Sequence, residues 1–263
     1  MEGNKTRLQV EDGVGIVTMC SAGNLNAVDV EMARELLDLL DRCERDEEVK
    51  VVVVRGEGKA FSAGGDIGFL YGRLERQEPR SDELVVLVGQ LALAVKRMDK
   101  LVITAVAGAA AGAGANLALS GDFVLCAENA RFIQAFVGIA LVPDTGGPYL
   151  LSRSIGAQRA LEMCITGRPV GAQEARELGL VHQIFPAGEL EAGTMELARR
   201  LAAGPLKAYA NIKKQVYGAA FRDYEWYLTQ VEETTMMACA GTRDHEEGVR
   251  AFVEKRRPRF RGE

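Results

Sequence analysis

The sequence predicts an α/β core followed by a helical C-terminal part. Three observations carry that expectation. Short β-branched runs recur up to about residue 140 with crossovers between them. Helical patterns fill nearly everything after residue 146. Three loops rich in glycine and other small residues, 56–67, 108–116 and 141–147, each follow a strand-like run and enter a helix.

Taken in order, residues 8–11 and 14–19 read as two strands joined by a tight turn at Asp12-Gly13. The loop 24–29 ends in an N-cap at Asp29, and Met32, Leu36, Leu37, Leu39 and Leu40 mark one face of the helix that follows. Residues 49–54 form a strand apolar on both faces, and a glycine-rich loop at 55–67 leads into a helix. The polar stretch 72–83 is expected to be a mobile surface segment before a helix at 84–97. Residues 101–106, LVITAV, have the continuous apolar character of a buried parallel strand. Beyond them Gly108, Gly112 and Gly114 are spaced by alanines up to Asn116, where a helix running to about Gly121 begins. Strands are expected at 123–127 and 130–136, then helices at about 146–155, 157–165, 171–178, 189–203, 206–219, 223–239 and 243–254.

The 263 residues can bury a sizeable core, and 48% apolar with 26% charged residues is an ordinary globular balance. A net charge of −5 argues against a general nucleic-acid or anionic-membrane binder. The first residues have no apolar signal core, and no run reaches the roughly 18 apolar residues of a membrane span. Five cysteines stand singly, with no CxxC pair and only two histidines, which argues against a disulfide framework or a metal site. Reduced core thiols in a cytoplasmic protein are the expectation. The basic tail 255–261 reads as solvated, with a contact to ligand phosphates as the lesser reading.

A strand that passes through a glycine turn into a helix leaves backbone N–H groups free for negative charge, either a phosphate or a reaction oxyanion. Gly108, Gly112 and Gly114, with Tyr209 and Lys213 downstream, also fit a nicotinamide-dependent reductase. A dinucleotide fold normally opens with its glycine loop, however, and here three strands precede it, with no acidic residue after the next strand to hold a ribose. The oxyanion reading is preferred.

Read together, several motifs resemble the crotonase (enoyl-CoA hydratase/isomerase) superfamily. They are Asn26-Ala27, the run 59–67 (KAFSAGGDI), the turn 108–116, Val142-Pro143-Asp144-Thr145-Gly146-Gly147, Thr166-Gly167-Arg168, the stretches 172–175 and 178–181, and the ending 247–256. The resemblance covers nearly the whole chain in order. It implies a spiral of repeated ββα units over 1–200 that binds an acyl-CoA thioester, and a helical region at 201–263 that assembles trimers or hexamers. It also implies no cofactor, coenzyme A being part of the substrate.

By the same resemblance the oxyanion donors are the N–H groups of Ala63 and Ala113, and Ala27, Ala63, Gly64, Gly65, Asp66, Ile67 and Ala113 line the coenzyme A arm. Hydratases of the family carry glutamates where Asn116 and Phe136 stand here. Asparagine holds a water or carbonyl but takes no proton, and phenylalanine does neither. The remaining acid in a matching place is Asp144, where isomerising members, those of aerobic phenylacetate breakdown above all, carry their base. The competing expectation is that Asp144 only caps a helix starting at Thr145. Isomerisation is therefore expected, with Asp144 as base and Asn116 as a supporting catalytic residue. A hydratase of altered activity and a non-catalytic coenzyme A ester binder stand as rivals.

Overall fold

The computed structural model describes residues 5–78, 83–186 and 188–263. Its strands are β1 (Thr6–Glu11), β2 (Val14–Met19), β3 (Val51–Gly56), β4 (Ala60–Ser62), β5 (Leu101–Val106), β6 (Ala109–Ala111), β7 (Phe123–Ala127), β8 (Arg131–Ile133), β9 (Pro169–Gly171) and β10 (Gln183–Phe185). The helices up to residue 177 are α1 (Val30–Arg45), α2 (Ile67–Glu75), α3 (Glu83–Arg97), α4 (Ala113–Leu119), α5 (Gly147–Ile155), α6 (Ala157–Thr166) and α7 (Ala172–Glu177). After them come α8 (Leu190–Ala202), α9 (Leu206–Ala220), α10 (Tyr224–Tyr227), a π-helical turn Leu228–Glu232, α11 (Glu233–Ala240) and α12 (Arg243–Val253).

A large sheet has the order β1-β2-β3-β5-β7-β10, antiparallel at β1-β2 and parallel thereafter, and a small sheet has the order β4-β6-β8-β9. The chain alternates between the two. β3 then β4, β5 then β6, and β7 then β8 each place a long strand in the large sheet and a short one in the small sheet. This is the repeated two-strand unit, and α2 and α4 close the first two repeats.

Both faces of the large sheet are covered, so its central strands carry no polar alternation. Val52, Val54, Val102 and Val106 pack under α1 and α3, and Val51, Val53, Ile103 and Leu125 pack under Leu190 and Leu197 of α8. Asp29 caps α1, accepting the N–H of Met32 at 2.9 Å. Lys213 pins α9 to this core, donating to the carbonyls of Val95 (2.8 Å) and Lys100 (3.0 Å) and to Asp122 (2.8 Å).

Several expectations change. The loops 56–67 and 108–116 contain strands β4 and β6, whose three residues each are too few to show a period. Residues 130–136 are a strand only at β8, followed by a 3₁₀ turn at Ala135–Ile139, so the third small-residue loop follows that turn and not a strand. The stretch 72–83 is helical at both ends, in α2 and α3, and its residues 79–82 lie outside the described part of the chain. The C-terminal helices pack onto the core: α11 on α3, and α12 on α2 and the 3₁₀ turn. No helix among the described residues is long and apolar enough to cross a membrane.

Candidate active site

Two glycine turns meet where the first two repeats leave the small sheet. A Cβ on Gly64 would lie 2.5 Å from the carbonyl oxygen of Ala111 and 3.3 Å from the nitrogen of Ala113, and one on Gly114 would lie 2.6 Å from Cβ of Ser62. Only glycine lets the backbones come that close, and Gly64 also needs its φ of +86°. A cavity of about 130 Å³ opens over this contact, and Gly65, Ile67, Gly112, Phe136, Leu141 and Asp144 line it. Met236, Met237, Ala240 and His245 close it from the C-terminal helices, whose part in the site the sequence did not reveal.

Backbone accounting decides which N–H groups can serve a ligand there. The N–H of Ala63 already donates to the carbonyl of Leu25 at 2.9 Å. That of Gly64 goes to Ser62 Oγ at 3.1 Å, and that of Asp66 to the carbonyl of Val28 at 3.0 Å. The N–H of Gly65 has no acceptor among the described residues, and the space above its Cα is open. The same accounting leaves the N–H of Ala113 without an acceptor, while Ala115 and Asn116 bond back to Gly112. The expected donor Ala113 is therefore available and the expected donor Ala63 is not. The segment 25–28 pins the loop at Ala63 and leaves the second glycine of Gly64-Gly65 facing the cavity. That glycine pair was the overlooked signal.

Other expected residues have different surroundings. Ile67 lines the cavity. Asp66 caps α2, accepting the N–H of Phe69 at 3.0 Å. Ala27 is buried, with its N–H on Asn24 Oδ1 at 3.3 Å, and is not among the cavity residues. Asn116 is fully buried behind the cavity wall. Its Nδ2 donates to the carbonyl of Asp144 at 2.8 Å, and its Oδ1 accepts from Gln134 Nε2 at 2.7 Å. Asn116 is thus a strut for Asp144, and its polar atoms point at protein.

Asp144 is 8% exposed and faces the cavity. Its carboxylate accepts the hydroxyl of Thr145 at 2.7 Å. Burial pushes its pKa up to about 7, against the pull of the Thr145 hydroxyl and its own N–H. It does not cap the next helix: α5 begins at Gly147, and no side chain of the adjoining Gly146 turn caps it. The turn before that helix is held instead by Glu232, which sequence reasoning missed. Both oxygens of Glu232 accept the N–H of Gly146, at 2.9 and 3.1 Å, and the carboxyl is 2% exposed. Burial and then the charge of Asp144 push its pKa up to about 9.

These two carboxyls set a dependence of stability on pH. Each has a folded pKa above its ordinary range, so folding favours the protonated form. That advantage is complete in acid and is lost as pH rises through about 7 for Asp144 and about 9 for Glu232. Asp144→Asn removes one burden. Its melting temperature is expected to match wild type below about pH 4 and to exceed it at pH 9 by at least about 2 °C, read by calorimetry.

A carboxyl basic near neutrality thus faces the cavity, with the free N–H of Gly65 on its wall and that of Ala113 in the adjoining Gly64 contact, an arrangement suited to moving a proton next to a carbonyl. The family profile described as enoyl-CoA hydratase/isomerase matches residues 9–263. The chain is 34% identical over 263 residues to a trans-2-decenoyl-[acyl-carrier-protein] isomerase of Streptococcus mutans serotype c, covering 100% of both. It is 34% identical over 256 residues to the 1,2-epoxyphenylacetyl-CoA isomerase of Escherichia coli K12, covering 96% of this chain and 97% of that one. A solved enoyl-CoA hydratase of Mycobacterium avium subsp. paratuberculosis superposes with a TM-score of 0.89 at 32% identity, over 98% of each chain. With its two-strand repeats running through both sheets, the chain belongs to the enoyl-CoA hydratase/isomerase family.

Proposed function

We propose that this enzyme shifts a carbon–carbon double bond in an enoyl thioester, 3-enoyl to 2-enoyl or its ring-type equivalent, with Asp144 as the only base. The observation that carries this is the state of Asp144, a carboxyl that faces the cavity, caps nothing and titrates near neutral pH. The N–H groups of Gly65 and Ala113 hold the thioester oxygen as it gains charge, which makes the C2 proton acidic enough for a carboxylate to remove. Asp144, now protonated, returns the proton at C4. No cofactor enters.

Hydration requires one group to deprotonate water and another to protonate carbon. Asn116 has both polar ends bound to protein, and Phe136 presents a ring to the cavity. These positions favour isomerisation over hydration. Incubation with 3-enoyl-CoA and, separately, 2-enoyl-CoA tests the reading. A conjugated product from the first without 3-hydroxyacyl-CoA from the second is the expected result. Hydration of the second substrate favours the lyase reading, and no turnover of either favours a non-catalytic binder. The same pair offered on acyl carrier protein reads out the carrier.

Assembly as a trimer or hexamer belongs to the same reading. Of the apolar residues in the C-terminal helices, Leu190, Leu197, Leu228 and Met236 are buried within the chain, but Ile212, Val216 and Trp226 are more than half exposed. Light scattering at micromolar concentration is expected to give three or six chains, and a monomer would contradict it.

A further inference from the structure

The turn that carries Asp144 is strained. Thr145, a β-branched residue, has φ +58°, Gly146 follows at +72°, and Ala140 just before the motif is at +53°. A left-handed conformation at a β-branched residue persists only where the surroundings over-determine it. Two struts do so here. Asn116 holds the carbonyl of Asp144 from one side, and Glu232 holds the Gly146 N–H from the other. A Cβ on Gly147 would lie 2.2 Å from Asn116 Nδ2 and one on Gly146 1.9 Å from Tyr224 Oη, so the turn has no room to relax.

Glu232 lies in the π-helical turn between α10 and α11, an insertion that rotates its side chain inward and is often found near functional sites. It is absent from the cavity wall, so it does not touch substrate. The titratable groups that act on it are the carboxyls of Asp144 and Glu233, and the phenols of Tyr224 and Tyr227 lie within its field. On the α3 side, a Cβ on Gly89 would lie 3.9 Å from Glu232 Oε1.

We propose that Glu232 is the positioning residue of the Asp144 base. It clamps the Thr145–Gly146 turn from behind, its buried carboxyl holding the N–H of Gly146 two residues after the base. This rests on the reading of Asp144 as base.

The test reads activity in two variants of Glu232. Glu232→Gln, which keeps the acceptor, stays near the wild-type turnover at pH 7.5. Glu232→Leu, which fills the space without an acceptor, loses on the order of 10²-fold in kcat through misplacement of the base. Wild-type kcat in a folded Glu232→Leu, beside an inactive Asp144→Asn, would overturn the clamp. A fully active Asp144→Asn would overturn the base reading itself, and the positioning role with it.

Discussion

Replacement of Asp144 by asparagine is expected to lower double-bond isomerisation by roughly 10²–10⁴-fold, the effect of losing a positioned general base. Asparagine keeps the shape and can still accept the hydroxyl of Thr145, a 2.7 Å bond in the native turn. It cannot take a proton. Because the Asp144 side chain does not cap α5, the substitution should leave folding intact, with an unchanged melting temperature below about pH 4. Stopped assays at pH 7.5 with calorimetry on the same samples check both halves. Asn116→Ala is expected to be milder, since it removes a strut and no proton acceptor.

The second large effect belongs to the backbone donors. Ala113→Pro removes an N–H at the first position of α4, where proline suits the helix, so the fold should persist while turnover falls by about 10²–10³-fold. Gly65→Pro is expected to have a similar effect. Ala63→Pro is the informative contrast, because the N–H it removes bonds to Leu25. It should destabilise the loop without the specific loss of turnover. If Ala63→Pro, once folded, lost turnover as Ala113→Pro does while Gly65→Pro did not, the donor pair would have to be reassigned. Urea melts of each variant separate a folding defect from a catalytic one.

Much of the fold could be read from residues whose roles are local. Asp29 announces its cap, residues 51–54 and 101–106 announce strands covered on both faces, and Gly64, Gly108 and Gly114 announce a close approach of backbones. Strands β4, β6, β8, β9 and β10 escaped or came out with wrong ends, because three residues give no period to detect. The site was half legible. The family resemblance singled out Asp144 and Ala113, but the choice between Ala63 and Gly65 depends on a hydrogen bond to Leu25, which no linear pattern displays. Glu232 was hidden for another reason. In the sequence it is one acid in a helical run, and only the folded chain brings it to Gly146, 86 residues away.

The account stands most directly on one base doing both halves of the shift. With both C2 hydrogens of 3-enoyl-CoA replaced by deuterium and the reaction run in ordinary water, a sheltered carboxyl that removes and returns the same particle delivers deuterium to C4. The 2-enoyl product is expected to carry deuterium at C4 from the earliest turnovers, at a level that Asp144→Asn cannot reproduce. A product with no deuterium at C4 at any extent of conversion would mean that separate groups remove and return the proton, and would contradict the assignment of both steps to Asp144.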